Sequence, residues 1–256
     1  MKLSGKVAIV TGGTGGLGWR ICRTLGQAGM KIVLVYLNSH EKAEQYIAEL
    51  KQNDIKAVVS HQQKYLISAD ITNESGIDTV IEKTESTFNR IDALVLDAAF
   101  NQSIDFKDLD AMTPELWHYI INYNLTAPFL AMRKIGSQMK KSGAGRIVTI
   151  SSTAGFEPVG SSIAYCTSKA GLIHLTRCMA KALAPQVLVN SIAPGLMEGT
   201  RMTDNLTPEL VAAFRKIALL NRAADKDDVA DAVMTMIKTD SITGQALIVD
   251  SGKFLH

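Results

Sequence analysis

The sequence contains few of the residues that build metal centres and disulfide frameworks. Of its 256 residues, three are Cys and five are His, and Cys22, Cys166 and Cys178 lack the close spacing of metal-binding Cys pairs. The scattered His residues suggest neither a zinc site nor a His-dependent nucleophile. We therefore expect reduced thiols, no bound metal and a cytoplasmic location.

A block of charge of either sign is also missing. The 27 basic and 25 acidic residues leave a net charge of +2 and are mixed along the chain, which argues against nucleic acids and membranes as partners. The short apolar run near the N-terminus is interrupted by Gly12 and Gly13, so it is too short for a signal peptide or a membrane anchor. We expect a small-molecule substrate instead.

What the chain does have is an alternation of strand and helix patterns. Apolar, β-branched runs alternate with amphipathic segments such as residues 41–52 and 115–141. This alternation predicts an α/β fold: one domain, built as a doubly wound parallel sheet with helices on both faces. The predicted strands are residues 7–10, 32–36, 93–96, 146–150, 187–192 and 246–249. A further strand fits either residues 55–60 or 64–68, and residues 196–215 are predicted to form a substrate lid.

A Gly-rich loop joins the first predicted strand to a helix pattern. Residues 7–18 read VAIVTGGTGGLG, so the strand leads directly into five Gly. Such a loop lets the backbone approach a dinucleotide pyrophosphate at the positive N-terminus of the helix, whereas a flexible turn without a ligand is the alternative. The spacing fits two registers, one formed by Gly13, Gly15 and Gly18 and the other by Thr11, Gly12, Gly16 and Gly18.

The end of the second predicted strand indicates which dinucleotide is bound. An acidic side chain there would bind the ribose 2′-OH of NAD, but this segment reads IVLVYLNSH and has no carboxylate before Glu41. Its absence removes a hydrogen bond to NAD and a repulsion of the 2′-phosphate, so NADP(H) is favoured over NAD. Asn38, Ser39 and His40 are candidate donors to that phosphate, although no Arg is present.

The segment IAYCTSKAGL, residues 163–172, places Tyr165 and Lys169 one helical turn apart. The ammonium would stabilise the phenolate and lower the pKa of Tyr165 towards the working pH, which suits proton exchange with a carbonyl or hydroxyl. Such pairs also occur on solvated helices. Ser152 favours the catalytic interpretation, because it follows the strand at 146–150, where side chains project into the ligand crevice of this fold.

Seven motifs in order along the chain resemble those of one family. They are residues 11–18 (TGGTGGLG), 68–72 (SADIT), 124–129 (NLTAPF), 145–152 (GRIVTISS), 165–169 (YCTSK), 193–195 (APG) and 243–252 (TGQALIVDSG). Over nearly its whole length the chain resembles the short-chain dehydrogenase/reductase family, in its 3-oxoacyl-reductase-like ketoreductase branch. The resemblance implies a Rossmann fold, an NAD(P)-dependent oxidoreductase, and a homotetramer or homodimer.

The resemblance also implies roles for individual residues. Tyr165 would donate the proton in reduction, Ser152 would polarise the carbonyl, and Lys169 would bind the nicotinamide ribose. Asn124 would lie at a helix distortion holding a water that links Lys169 to solvent, or it would cap its own helix. The implied cofactor-binding residues are Thr11, Gly12, Thr14, Gly16, Leu17, Gly18, Tyr36, Asn38, Ser39, Asp70, Ile71, Ala98, Tyr165, Lys169, Pro194, Gly195 and Thr200.

Three segments depart from the family's pattern. Where the family usually has Asn-Asn-Ala-Gly after the fourth strand, this chain has Leu96, Asp97, Ala98 and Ala99. An ionised Asp cannot donate the hydrogen bonds of an Asn, so we expect cofactor binding with local adjustment. Residues 61–68 resemble an insertion ahead of Asp70, and Thr200 lies one residue later than the usual spacing.

The expected reaction is hydride transfer between NADP(H) and a carbonyl or secondary alcohol. Overall similarity favours a 3-oxoacyl-thioester reductase, while a sugar or polyol dehydrogenase, a pterin reductase and a non-catalytic NADP-binding sensor or scaffold stay open. Two sets of apolar residues each fit two roles. In the predicted lid, Met197, Met202, Leu206 and Phe214 either line a pocket or only pack the lid down. On one helix face, Gly171, Leu172, Leu175 and Met179 form either a subunit interface or part of the monomer core.

Overall fold

The computed structural model describes residues 1–52, 66–203 and 206–255. Its strands are β1 (Val7–Thr11), β2 (Lys31–Tyr36), β3 (Leu66–Ser68), β4 (Ala93–Leu96), β5 (Gly145–Ile150), β6 (Val187–Pro194) and β7 (Ala246–Val249). They form a seven-stranded sheet in the order β3-β2-β1-β4-β5-β6-β7, and every pairing is parallel. The α/β, doubly wound architecture predicted from the sequence is confirmed.

Helices connect the strands and cover the sheet. They are α1 (Gly16–Gln27), α2 (His40–Gln52), α3 (Glu74–Phe88), α4 (Pro114–Ile121), α5 (Ala127–Lys141), α6 (Ile163–Leu183), α7 (Pro208–Ile217) and α8 (Lys226–Lys238). A π-helical turn, Asn122–Thr126, joins α4 to α5, and a short 3₁₀ turn, Thr153–Gly155, follows β5. Among the helices in the described ranges, none is long and apolar enough to cross a membrane.

Two hydrophobic cores lie on opposite faces of the sheet. Ala8 and Val10 of β1 pack on one face with residues of α1 and α8 such as Ile21 and Val233. The alternate residues of the same strand, Val7 and Ile9, face the second core, which contains residues of α3, α5 and α6. Because both faces of β1 are covered, the strand needs apolar side chains at every position, and this explains the unbroken apolar run in the sequence.

The strand order creates a crevice at the carboxyl edge of the sheet. β1 pairs with β2 on one side and with β4 on the other, so the connections leave in opposite directions at this point. A ligand crevice forms where the strand order reverses in this way. The residues that follow β1, β4, β5 and β6 therefore meet along one edge.

The sequence left two alternatives open, one for the position of the third strand and one for the apolar face of α6. The strand at Leu66–Ser68 lies within the second candidate segment, while residues 55–60 and the first part of the suggested insertion, 61–65, lie outside the described residues. Leu172 and Met179 are buried in the chain's own fold, and Leu175 packs against one core. These three side chains therefore serve the core of the monomer.

Candidate active site

A cleft of about 1000 Å³ runs along the carboxyl ends of the strands. It is lined by loops that follow β1, β2, β4, β5 and β6 and by the segment that leads to α7. The structure therefore brings most of the sequence-predicted site residues together. Those that line the cleft are Thr11, Gly12, Thr14, Gly16, Leu17, Tyr36, Asn38, Ser39, Ile71, Ala98, Ser152, Tyr165, Lys169, Pro194, Gly195 and Thr200.

Three of the residues implied by the family resemblance are missing from the described lining. Gly18 lies beneath the loop, where an added Cβ would stand 2.3 Å from the carbonyl oxygen of Gly12. Asp70 closes a local turn, since its Oδ1 accepts from the backbone N–H of Thr72 at 2.9 Å, as Asp side chains commonly do; Ala69 and Ile71 line the cleft beside it. Gly18 and Asp70 therefore shape the backbone around the cleft.

Asn124 is the third, and it lies in the π-helical turn between α4 and α5. The helix distortion implied at this position is confirmed. The Asn124 side chain is buried and bonds to Phe100 and Ser168, so the alternative that it caps its own helix is wrong. Its side-chain polar atoms bind protein groups rather than Lys169, and the water relay stays a prediction.

The Gly-rich loop has the shape of a pyrophosphate cradle. Gly12 has a φ of +68°, and an added Cβ there would lie 2.9 Å from the backbone of Ala98, so a larger residue would strain the loop. Gly15 forms the N-cap of α1 without a side chain to bind the first-turn N–H groups, which suits an anionic ligand. Gly13 packs against Leu34 away from the cleft, and this favours the register Thr11, Gly12, Gly16 and Gly18.

Ser152, Tyr165 and Lys169 meet at the centre of the cleft. Ser152 follows β5, where its hydroxyl accepts from the N–H of Ala154 at 3.2 Å, and it lines the cleft together with Tyr165. α6 begins at Ile163 because Ser162 caps it by accepting from the N–H of Tyr165. One turn later, Lys169 is 3% exposed, with Nζ 5.6 Å from the centroid of the Tyr165 ring and donating to the carbonyl of Ile150 at 2.9 Å. A phenol, a second hydroxyl and a buried ammonium thus share one site.

The acid–base balance of this pair differs from the prediction in one respect. Burial raises the pKa of Tyr165 to about 12, despite the opposing effect of the Ser152 side chain, so the predicted lowering of this pKa is wrong for the cofactor-free chain. The physical reason is that lost hydration of the phenolate outweighs the benefit of its neighbours. Burial likewise lowers the pKa of Lys169 to about 8, with Asp97 opposing the change.

Asp97 is the first residue after β4, and it lines the cleft. Leu96, the first residue of the departing segment, is the last residue of the strand. Burial raises the pKa of the Asp97 carboxyl to about 7, against the effects of Lys169 and of the backbone N–H of Gly18. The neighbouring Ala98 N–H donates to the Thr11 hydroxyl at 3.3 Å, which holds the loop to β1.

The end of β2 contributes a cation that the sequence analysis did not identify. Lys42, in the first turn of α2, lines the cleft together with Tyr36, Asn38 and Ser39. Tyr46 lies one turn further along and stacks on Trp19, with the ring centroids 4.2 Å apart. His40, a predicted phosphate donor, instead bonds to the Tyr36 hydroxyl through Nδ1 at 2.5 Å. In the sequence, the position of Lys42 six residues after the end of β2 could have indicated a cation at this end of the cleft.

The segment that the sequence predicts to be a lid, residues 196–215, lies directly against the Gly-rich loop. The carbonyl oxygen of Gly199 is 3.0 Å from the position of a Cβ added to Gly16. Lys226 holds this turn by donating to the carbonyls of Glu198 and Gly199 at 2.9 and 3.2 Å, and Arg215 of α7 pairs with the Glu198 carboxylate. The lid residues that line the cleft are Met197, Met202, Leu206, Leu210 and Phe214, so the pocket-lining interpretation of the four predicted side chains is confirmed.

Comparisons with known proteins agree with this geometry. The family model described as short chain dehydrogenase matches residues 6–210. The chain is 34% identical over 255 residues to the 3-oxoacyl-[acyl-carrier-protein] reductase of Synechocystis sp., covering 98% of this chain and 97% of that protein. It is 33% identical over 257 residues to a reductase of the same name from Aquifex aeolicus, covering 99% of each. Among solved structures, NADPH-dependent 3-quinuclidinone reductase from Rhodotorula rubra matches with a TM-score of 0.87 and 25% identity, covering 98% of this chain and 92% of that one.

Proposed function

The chain belongs to the short-chain dehydrogenase family, and on that premise we propose that it is an NADPH-dependent reductase of 3-oxoacyl thioesters. Membership of the family makes it an oxidoreductase that interconverts carbonyl and alcohol groups with an NAD(P) cofactor. The proposal adds the substrate class and the choice of NADPH. The observation that supports it best is that Ser152, Tyr165 and Lys169 line the same cleft as the apolar side chains Met197, Met202, Leu206 and Phe214.

The chemistry assigned to the site is proton donation to a carbonyl oxygen. The bound nicotinamide supplies the hydride to the carbonyl carbon. Tyr165, with a pKa of about 12, stays protonated at neutral pH and gives its proton to the oxygen as negative charge develops there. Ser152 orients the same oxygen, and the Lys169 ammonium stabilises the phenolate left on Tyr165.

The apolar lining favours an acyl chain over a sugar or a pterin. Ile104 and Val159 line the cleft, and so do Met202, Leu206 and Phe214 from the segment that leads to α7. A polyol would need several paired polar groups in this region, whereas an acyl chain is stabilised by removing its surface from water. The two named relatives reduce 3-oxoacyl groups according to their names.

The choice of NADPH rests on the charge at the end of β2. Lys42 lines the cleft beside Asn38 and Ser39, and these side chains can bind a 2′-phosphate through a cation and two donors. The carboxylate that would bind a ribose 2′-OH and repel that phosphate is absent between Tyr36 and His40. The presence of Lys42 and the absence of this carboxylate both favour NADPH over NADH.

The test is a comparison of substrates under matched conditions. Purified chain is assayed by NADPH oxidation at 340 nm with acetoacetyl-CoA, longer 3-oxoacyl-CoA thioesters, sugars, polyols in the reverse direction, and pterins. We expect the thioesters to be reduced with the highest kcat/KM. Turnover of sugars or pterins in preference to thioesters would contradict the proposed substrate class.

A control variant separates an enzyme from a nucleotide sensor. Tyr165→Phe removes the proton donor and leaves the ring in place, so carbonyl reduction should fall by at least about 100-fold while NADPH still binds. A wild-type chain that binds NADPH but reduces none of the panel would favour the sensor or scaffold.

The proposal includes a cytoplasmic homo-oligomer, a homotetramer or homodimer. Supporting it, Leu219, Leu220 and Leu255 are more than half exposed, and Leu247 is exposed on β7, at one edge of the sheet. Apolar side chains in this arrangement suit a subunit interface. Light scattering coupled to size-exclusion chromatography tests the oligomeric state directly, and a monomer at micromolar concentration would contradict it.

A further inference from the structure

The carboxylate of Asp97 lies directly beneath the loop that would hold the pyrophosphate. Its Oδ2 atom is 2.8 Å from the position of a Cβ added to Gly18 and 3.8 Å from that of a Cβ added to Gly15. The backbone N–H of Gly18, in the first turn of α1, is close enough to lower the pKa of this carboxyl. An anionic side chain therefore occupies the helix N-terminus from the protein side, while the cleft approaches the same terminus from the ligand side.

The groups that face Asp97 come from α1 and α6. From α1, the thiol of Cys22 is fully buried, and burial together with Asp97 raises its pKa, so the thiol is neutral. From α6, the phenol of Tyr165 is neutral for the same reason, and the ammonium of Lys169 is the facing cation. Lys169 donates to the carbonyl of Ile150, so its attraction compensates the Asp97 charge in part.

A dinucleotide adds negative charge to this environment. Its pyrophosphate would bind the N-terminus of α1, only the thickness of the Gly-rich loop away from Asp97. Two anions near one helix terminus, partly removed from water, repel each other and disfavour ionisation of the weaker acid. A protonated carboxyl removes the repulsion and can still accept from the Gly18 N–H through its carbonyl oxygen.

We propose that Asp97 is a positioning residue that takes up a proton when a dinucleotide binds, so that a neutral carboxyl supports the Gly-rich loop beneath the pyrophosphate. Cofactor affinity then falls as the pH rises through neutrality, because an ionised Asp97 must first be protonated. The carboxyl is poised for this role, since its pKa of about 7 in the cofactor-free chain leaves both forms populated near neutral pH. An Asn at this position, as in the resembled family, would show no such dependence.

Isothermal titration calorimetry measures the proton directly and does not require turnover. NADP⁺ is titrated into the whole chain at pH 8 in buffers of different ionisation enthalpy. The slope of the observed binding enthalpy against the ionisation enthalpy of the buffer gives the number of protons taken up per NADP⁺ bound. The test variant is Asp97→Asn, and the matched control is Asp108→Asn. Asp108 lies in the same loop, its carboxylate accepts from the N–H of Ala111, and it is not among the described residues that line the cleft. The 2′-phosphate of NADP⁺ is present in every sample, so its own titration does not distinguish the variants.

We expect the wild type and Asp108→Asn to take up about 0.5 proton or more per NADP⁺ bound, and Asp97→Asn to take up less than half of that amount. The affinity of Asp97→Asn relative to wild type should rise about tenfold between pH 6 and pH 8.5. Equal proton uptake in Asp97→Asn and wild type, or an affinity ratio that does not change with pH, overturns the proposal. Asp97→Ser, which keeps an oxygen acceptor without a charge, gives a second measurement if the Asn variant does not fold.

Because only binding is measured, the proposal is tested separately from the substrate assignment. A chain that binds NADP⁺ with proton uptake but reduces no thioester would contradict the proposed function and support the role of Asp97. A chain that reduces thioesters, but whose Asp97→Asn variant takes up as many protons as the wild type, would support the proposed function and contradict the role of Asp97.

Discussion

The side chain of Asn124 binds both backbone polar groups of Phe100. Its Nδ2 donates to the Phe100 carbonyl at 2.9 Å, and its Oδ1 accepts from the Phe100 N–H at 2.8 Å. The same Nδ2 donates to the hydroxyl of Ser168 at 3.1 Å, and that hydroxyl donates to the carbonyl of Tyr165 at 2.7 Å. One buried amide therefore ties the loop after β4 to the helix that carries the proposed proton donor.

Replacing Asn124 with Ala should lower the free energy of unfolding by about 2–4 kcal/mol, because three hydrogen bonds are lost and the partly buried N–H and C=O of Phe100 lose their Asn124 partner. Chemical denaturation measures the change. Asn122→Ala, in the same π-helical turn, is the control and should cost far less. A loss below about 0.5 kcal/mol for Asn124→Ala would show that the backbone of Phe100 finds other partners.

Lys169 should make the rate of carbonyl reduction fall at alkaline pH. Its pKa is lowered to about 8 by burial, and the protonated form is the one that stabilises the Tyr165 phenolate. The kcat/KM for reduction should therefore decrease as the pH rises above about 8, because this parameter reports groups of the free enzyme. Lys169→Arg keeps its charge at all these pH values, so in that variant the residual activity should lose the decrease near pH 8. An unchanged decrease in Lys169→Arg would assign it to another group.

Lys42 should determine the preference for NADPH over NADH. Lys42→Ala is expected to weaken NADPH binding about tenfold, because a charge-assisted contact with the 2′-phosphate is lost, while NADH binding changes little. Cofactor fluorescence titrations measure both affinities. Lys42→Arg retains the cation and should keep the preference; equal losses for NADPH and NADH in Lys42→Ala would place the side chain away from the phosphate.

Lys226 should hold the lid turn against the Gly-rich loop. Lys226→Met removes the donor to the carbonyls of Glu198 and Gly199, and we expect KM for the cofactor to rise about three- to tenfold with faster proteolytic cleavage in the lid. Lys216→Met, on the exposed side of α7, is the matched control. Identical cleavage rates and KM values in the two variants would mean that the ion pair between Glu198 and Arg215 is sufficient to hold the turn.

Asp97 should also make the stability of the cofactor-free chain depend on pH. The folded-state pKa of about 7 lies above the ordinary value of 3.8, so the folded chain binds more protons between these values and its stability falls as the pH rises from about 4 to 7. Asp97→Asn removes this contribution. Its free energy of unfolding relative to wild type should increase by about 1–3 kcal/mol between pH 4 and pH 8, measured by denaturant titration at each pH. A difference that stays constant across this range would contradict the raised pKa.

The framework of the fold could be read from the sequence because it depends on local patterns. Continuous apolar runs mark strands that are covered on both faces, and the Gly-rich loop marks the point where β1 meets α1. The Tyr165 and Lys169 pair follows from helical periodicity, and Ser152 follows from the end of β5. Each of these features needs only a short stretch of chain and the common rule that parallel strands end at one edge.

The balance of charge in the cleft could not be read in the same way. Lys42, Asp97 and Lys169 lie on three different elements, and whether each is near a ligand depends on how those elements pack. The direction of the Tyr165 pKa was wrong at the sequence level because periodicity shows a neighbouring ammonium but does not show how much water is lost on burial. Asp70 and Asn124 matched the family's motifs, yet their side chains bind local backbone and the loop after β4 instead of lining the cleft.

The order of strands and helices, the position of the Gly-rich loop and the spacing of Tyr165 and Lys169 all follow from the sequence, because they depend on periodicity and on residues at fixed spacing. Which charges face one another depends instead on how the elements pack. Asp97 lies beneath the loop of Gly15 and Gly18 only because β1 and β4 are neighbours, and it acts on Lys169 only because the fold brings α6 to the same cleft. Burial and distance set the protonation of that group, and both arise only when distant segments of the chain pack together.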